Sequence, residues 1–335
     1  MKSLFYLFLL QLTLFTREII ADQTIQTKFK KLTIITDPIG QVNKSGGHHA
    51  VTRSLLTGLQ KIGVNFNYNP HSINEVGDYL YVLSDSNALI QGIELRKKGI
   101  IQKLLAGPNI MVRSNEFNHL LASPEIDTYI VNSQWTYNAY IEDESSLKNR
   151  LQIWPAGVDV TYWDPISIFL QDKIKRDCKK ILVYWKTEGE SFCKLVEASI
   201  KSAGFEPVRI KYGAYKALQF KNLLQESLCV VFISRTESQG IALAEAWSMD
   251  VPTLVWDPQE PFTFSGKTFW PINAAPYLCE ENGILWKNQE ELQSTLSNLG
   301  HKLKSMKPRE WAVKHMSDEV CAKHFLSIMN ENSAE

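Results

Sequence analysis

Residues 229–257 read CVVFISRTESQGIALAEAWSMDVPTLVWD. The run 229–234 is short, apolar and bounded by polar residues, the pattern of a strand buried on both faces in a parallel sheet. Residues 235–240 are a polar loop ending in glycine, and 241–249 hold helix formers, with Leu243, Ala246 and Trp247 available to one face. Val251-Pro252 stops the helix, because the residue before a proline avoids the α region. Residues 253–256 then form a second strand. A strand–helix–strand unit of this kind runs its strands parallel, and ligands gather at their carboxyl ends.

The chemistry of this stretch sits in its loop and at its helix start. Glu237 follows the first strand, Gly240 lets backbone approach a ligand closely, and the free N–H groups of the next turn favour an anion. Glu245, eight residues after Glu237, offers a carboxylate that can accept two hydrogen bonds from vicinal hydroxyls such as those of a ribose. Two acids, a glycine and a helix start suit a sugar or ribose joined to a diphosphate. Acids at this spacing are also common on solvated surfaces, so the spacing alone leaves both readings open.

The pattern Glu237-x7-Glu245, with Gly240 between and Ala246 and Pro252 after, resembles the nucleotide-sugar motif of GT-B glycosyltransferases, in particular glycosyltransferase family 4. Val251 stands where that family has Gly before the Pro. The resemblance implies an α/β chain of two Rossmann-like doubly wound domains facing a cleft. It implies Glu237 at the donor sugar, Glu245 on the ribose, and the stretch Ser238, Gln239, Gly240 and Ile241 at the diphosphate. It also implies a retaining reaction without a metal or other cofactor, from a nucleotide-diphosphate sugar to a hydroxyl of a glycan or lipid-linked acceptor.

Working outward, 335 residues exceed what one core serves, so two domains are expected. Hydrophobic residues make up 44% and charged residues 21%, the balance of an ordinary globular chain. A formal net charge of zero argues against a nucleic-acid partner held by a basic face. The five cysteines are odd in number and form no CxxC pair, so they read as free thiols rather than a disulfide frame or metal site.

Lys2 and the apolar run 4–15 suit a secretory signal or a membrane-associating segment over 1–21, ending at Ala21, although Arg17 and Glu18 lie close to that end. The run is short for a membrane span. Location therefore stays open between the cytoplasmic face of a membrane and the secretory pathway.

The first domain, expected over 30–156, opens with a β-branched strand at 32–36, a loop containing Gly46 and Gly47, and a helix over 50–62. The resemblance puts both glycines at the cleft near the donor. His48 and His49 begin the helix and point in different directions, so they do not form a chelating pair. Further strands are expected at 64–68, 78–83, 110–112 and 127–132, with Asn115 or Glu116 near the acceptor side. Residues 153–165 resemble the family's interdomain segment, and Pro and Gly punctuate a linker there in any case.

The second domain, expected over 157–310, starts with a strand at 180–185 followed at once by Lys186. The resemblance gives Lys186 the neutralisation of the diphosphate leaving group, with Lys194 as a possible second cation inside a helix over 191–202. Residues 258–277, rich in Pro and aromatics, read as a loop near the cleft, and 289–303 as one helix. A final helix over 308–329 is expected to cross back to the first domain, within a segment 308–330. The rival readings are a non-catalytic two-lobed sugar- or nucleotide-binding protein, a decayed transferase, and a GT-B epimerase or phosphorylase.

Overall fold

A computed structural model describes residues 32–36, 47–165, 179–264 and 266–331. Segment 1–21, Gly46 and Cys178 lie outside the described residues. Among the described residues no helix is long and apolar enough to cross a membrane.

The first sheet has six parallel strands: β1 (Leu32–Thr36), β2 (Phe66–Tyr68), β3 (Tyr79–Leu83), β4 (Lys103–Ala106), β5 (Thr128–Val131) and β6 (Leu151–Ile153), in the order β2-β1-β3-β4-β5-β6. Helices α1 (Gly47–Lys61), α2 (Ser86–Lys97) and α3 (Gln134–Asp143) cross between the strands. The second sheet has five parallel strands: β7 (Lys180–Trp185), β8 (Glu206–Lys211), β9 (Cys229–Ile233), β10 (Thr253–Trp256) and β13 (Gly283–Trp286), in the order β13-β10-β9-β7-β8. Between them run α4 (Glu190–Ser202), α5 (Ala217–Glu226) and α6 (Ile241–Ser248). Each sheet reverses its winding once, between β1 and β3 and between β7 and β9. Such a switch point opens a crevice at the carboxyl ends of the strands.

Four expectations are corrected. The strand expected at 110–112 is a loop, and the strand lies at Lys103–Ala106. A lysine opens that strand, yet Lys103 is buried, because its ammonium donates to the Met329 carbonyl at 2.5 Å. The region after Asp257 holds a small antiparallel hairpin, β11 (Phe262–Phe264) with β12 (Lys267–Phe269). The helix expected over 289–303 is two, α7 (Gln289–Ser297) and α8 (Leu299–Leu303).

The terminal helix is likewise two, α9 (Pro308–Met316) and α10 (Asp318–Glu331), parted by an extended Ser317. Ser317 makes a parallel bridge with Val158, and Val158 N–H donates to the Met316 carbonyl at 2.7 Å. The break lets α9 pack under α6 of the second sheet while α10 packs on α1 of the first. That packing is close: a Cβ on Gly58 would stand 2.3 Å from the Asp318 carbonyl oxygen, and one on Gly157 2.7 Å from Asp318 Cα.

Asp318 occupies this junction of α1, α10 and the linker at 1% exposure. Among the described residues neither carboxylate oxygen has a hydrogen-bond partner; the Ser54 hydroxyl, unpartnered on the same terms, faces it, and Lys61 is 4.0 Å away. Burial pushes its carboxyl up to about 6, against a weaker pull from Ser54 and Lys61. A carboxyl raised on folding binds its proton more tightly in the native state, so stability falls as pH climbs from about 4 to about 6. Asp318→Asn is expected to remove that fall, gaining on the order of 1–3 kcal/mol over wild type above pH 6. Urea unfolding of both proteins across this window checks it; parallel curves would show that Asp318 is not the group responsible.

Candidate functional site

The two switch points face one another across a cavity of ≈ 280 Å³. Lys186 follows β7 and Glu237 follows β9, so they flank the reversal in the second sheet. The Lys186 ammonium donates to both Glu237 carboxylate oxygens at 2.8 Å, and Ser234 Oγ donates to Oε1 at 2.9 Å. The side chains keep 24% and 15% exposure, enough contact with water that the pair adds little net stability. The Tyr212 ring covers Lys186 at 4.8 Å. Behind them the Tyr184 and Tyr215 hydroxyls share a hydrogen bond of 3.0 Å.

Two helix starts open on the same cavity. Gly47 and His48 begin α1, and Gly240 caps α6; neither first turn carries an acid. Within α6 the first internal bonds run from Leu243 and Ala244 to the Gly240 carbonyl, which among the described residues leaves the Ile241 and Ala242 N–H groups to a ligand. Gly240 holds φ +85°, and a Cβ there would meet Leu243 Cδ1 at 2.7 Å. A side chain would strain the turn that aims these donors.

Glu245 lies one turn further along α6, facing the cavity. Among the described residues no donor reaches its carboxylate. Burial raises that carboxyl to about 8, and the positive charge of Arg53 on α1 works against the rise. The side chain is closely surrounded yet keeps an open edge on the cavity, so a ligand can reach it.

The loop carrying Glu237 is fixed from the first lobe. Trp135 Nε1 donates to the Glu237 carbonyl at 2.8 Å, and Tyr277 hydroxyl donates to the Asn132 carbonyl. Gln239, expected at the donor, lines the cavity and also braces this loop. Its side chain is buried and bonded to Ala156 N–H at 2.9 Å, the Ala156 carbonyl at 2.5 Å and Asn132 Nδ2 at 3.2 Å. It pins the loop to the linker, using both acceptor positions of Oε1 and one of the two Nε2 hydrogens.

Of the expected residues, Gly47, Lys186, Glu237, Ser238, Gln239, Gly240, Ile241 and Glu245 all line the cavity. Lys194 does not: it pairs with Glu190 at 3.4 Å on an exposed face of α4. Asn115 and Glu116 are also outside the lining, and the Glu116 carboxylate accepts from Arg113 N–H at 3.1 Å. The first lobe instead presents Arg53, Asn109 and Asn132. Arg53 looks like any exposed helix cation in the sequence. Tyr212, directly after β8, was legible from the rule that ligands lie beyond strand carboxyl ends.

No protein-family model matches the sequence, and a search of curated proteins found no match. Solved structures do match. HepE from Anabaena, solved in complex with UDP and glucose, superposes at TM-score 0.57 with 12% identity, over 90% of this chain and 100% of that one. Sucrose-phosphate synthase from Thermosynechococcus elongatus gives 0.59 with 11% identity, over 91% and 99%. The catalytic domain of starch synthase IV from Arabidopsis thaliana, bound to ADP and acarbose, gives 0.58 with 8% identity, over 91% and 99%. At these identities the likeness speaks for the fold: the chain has the two-lobed GT-B architecture.

Proposed function

We propose that this GT-B chain is a glycosyltransferase that moves a sugar from a nucleotide-diphosphate sugar to a hydroxyl of a glycan or lipid-linked acceptor. The observation that carries the reading is the Lys186–Glu237 pair across the switch point, with two free helix N–H groups beside it and Glu245 deeper in the same cleft. The ribose, the diphosphate and the sugar of a nucleotide-diphosphate sugar each have a matching group. Glu245 accepts from the ribose hydroxyls. Lys186, Ile241 N–H and Ala242 N–H offset the charge that grows on the leaving diphosphate. Glu237, released when the diphosphate takes over Lys186, turns to the donor sugar. Charge neutralisation by these groups is consistent with a metal-independent reaction, and retention of the anomeric centre follows from the family resemblance. The domain limits near residue 157 and the crossing of α10 back to the first lobe belong to the same reading.

Neighbouring folds give the reading a chemical context. HepE was solved with UDP and glucose and the starch synthase domain with ADP and acarbose, so proteins of this architecture bind nucleoside diphosphates. An isomerising or merely binding role has one observation on its side: the structure of UDP-GlcNAc 2-epimerase from Methanocaldococcus jannaschii also superposes, at TM-score 0.52.

The test is thermal stabilisation by UDP, GDP, ADP and their sugars. A ligand that binds the native state raises the melting temperature by mass action. One nucleotide is expected to stabilise the protein, and Glu245→Ala to weaken it by about 1–3 kcal/mol through lost charge-assisted hydrogen bonds. Unchanged affinity in Glu245→Ala would sink the ribose assignment. Sugar transfer to an acceptor, rather than epimerised donor, separates the two enzymatic readings.

A further inference from the structure

The segment 258–277, read from the sequence as a loop near the cleft, sends no described residue to the cavity lining. Its hairpin leaves the second lobe instead and docks on α3 of the first. Lys267 of β12 is the anchor. Its ammonium donates to Asp143 Oδ1 at 2.7 Å and to the Ala139 carbonyl at 3.3 Å, and Glu142 Oε2 stands 3.4 Å away. Three oxygens thus surround a group that carries three N–H bonds. The Lys267 and Asp143 side chains are each only 10% exposed. All three partners lie in the C-terminal half of α3, whose last turn has no basic residue of its own. Lys267 therefore supplies, from the other lobe, the cation that the carbonyl end of a helix favours. Phe269, at the end of β12, is buried and meets the Trp135 ring at the start of α3 edge-on at 6.3 Å.

Both partners in this contact reach Glu237. Trp135 of α3 donates to the Glu237 carbonyl at 2.8 Å, and the Glu237 N–H donates at 3.0 Å to the carbonyl of Asn273, just beyond β12. The backbone of Glu237 is thus held on one side by the first lobe and on the other by the chain that follows the hairpin. We propose that Lys267 is a positioning residue for Glu237: the hairpin, clasped to the end of α3, holds the chain from Phe269 to Asn273 against the loop that carries Glu237. The inference rests on the transferase reading, in which Glu237 meets the donor sugar. It makes the apposition of the two lobes a condition for placing that carboxylate. The nucleotide groups Ile241 N–H, Ala242 N–H and Glu245 lie on α6, outside this chain of contacts. Releasing the clasp therefore costs turnover and leaves nucleotide affinity in place, because a misplaced reacting group is felt in the transition state.

Lys267→Met tests this on the full chain, with Lys267→Arg as the conservative variant. Methionine keeps an apolar side chain over the Phe269 ring, and Asp143 retains Arg113 at 3.5 Å, so the fold is expected to survive. The first measurement is hydrogen exchange in the ligand-free protein. Exchange at the Glu237 amide and over 262–277 and 134–143 is expected to rise in Lys267→Met, while that of α6 stays as in wild type. The second is turnover with the nucleotide sugar identified by thermal shift, alongside nucleotide affinity by calorimetry. Turnover is expected to fall by about ten- to a hundredfold at unchanged nucleotide affinity, since a displacement of about 1 Å at a reacting group has effects of this size. Lys267→Arg is expected to recover most of both the protection and the turnover. Unchanged exchange at Glu237 in Lys267→Met overturns the proposal, whatever the protein binds. So does raised exchange with wild-type turnover. A loss of turnover accompanied by losses of melting temperature and nucleotide affinity marks a merely structural role and overturns it too. If exchange rises as expected but wild type transfers no sugar from any nucleotide donor, the transferase reading falls and the positioning role with it.

Discussion

Trp154→Ala is expected to destabilise the protein by about 3–5 kcal/mol, the range for removing a large buried aromatic side chain. Trp154 follows β6 and is fully buried. Its indole N–H donates to the Cys321 carbonyl of α10 at 2.8 Å. Its ring meets Phe325 of α10 edge-on at 5.7 Å, and Phe325 in turn packs on Tyr81 of β3 at 4.6 Å. The residue thus rivets the last helix to the centre of the first sheet at the point where the chain leaves for the second. Most of the cost is lost packing and an unfilled cavity. Trp154→Phe keeps much of the ring and loses the N–H bond, so it is expected to lose about 1–2 kcal/mol. Urea unfolding gives both numbers, and hydrogen exchange across 318–331 locates them. Protection of α10 unchanged in Trp154→Ala would show that other contacts hold the helix, and that the rivet is misassigned.

The residues that could be read without coordinates are those whose local pattern and final environment agree. Cys229 to Ile233 is five consecutive buried residues, and Gly240 holds a positive φ at a helix cap, so 229–257 declares itself. Glu237 and Glu245 come with that unit. The strand at Lys103–Ala106 was hidden because Lys103 looks like a surface residue. Its ammonium is received by the Met329 carbonyl, from a residue near the far end of the chain. The break at Ser317 carries no Pro or Gly, and its cause is tertiary: the bridge to Val158 and the close approach of Gly58 and Gly157. Gln239 was legible as a member of the loop but not as its pin, since Ala156 and Asn132 lie in the other half of the sequence. Arg53 lines the cleft from the opposite lobe, and no window of sequence contains both walls of that cleft.

Lys186→Ala and Glu237→Gln are each expected to lower turnover by about 10²–10³-fold, the usual effect of deleting one preorganised group that meets charge in a transition state. The resting ion pair sharpens what each variant means. In Glu237→Gln, Lys186 loses its carboxylate but keeps the Tyr212 face, so nucleotide binding is retained or tightened while chemistry slows. In Lys186→Ala, Glu237 keeps only the Ser234 hydroxyl, and its negative charge then stands unopposed where a diphosphate must lie. Nucleotide affinity therefore falls together with turnover. The double variant separates a working pair from a structural one. If the pair only braces the loop after β9, removing both partners restores stability and activity toward wild type, because no unpaired charge remains. If both groups act on the donor, the double variant is no better than the worse single, and its turnover stays down although the fold is intact. Steady-state kinetics with the donor identified by thermal shift, alongside melting temperatures for all four proteins, distinguishes these outcomes. Recovery of activity in the double variant would remove Lys186 and Glu237 from the chemistry and leave Glu245 and the helix start as a nucleotide-binding site without a catalyst.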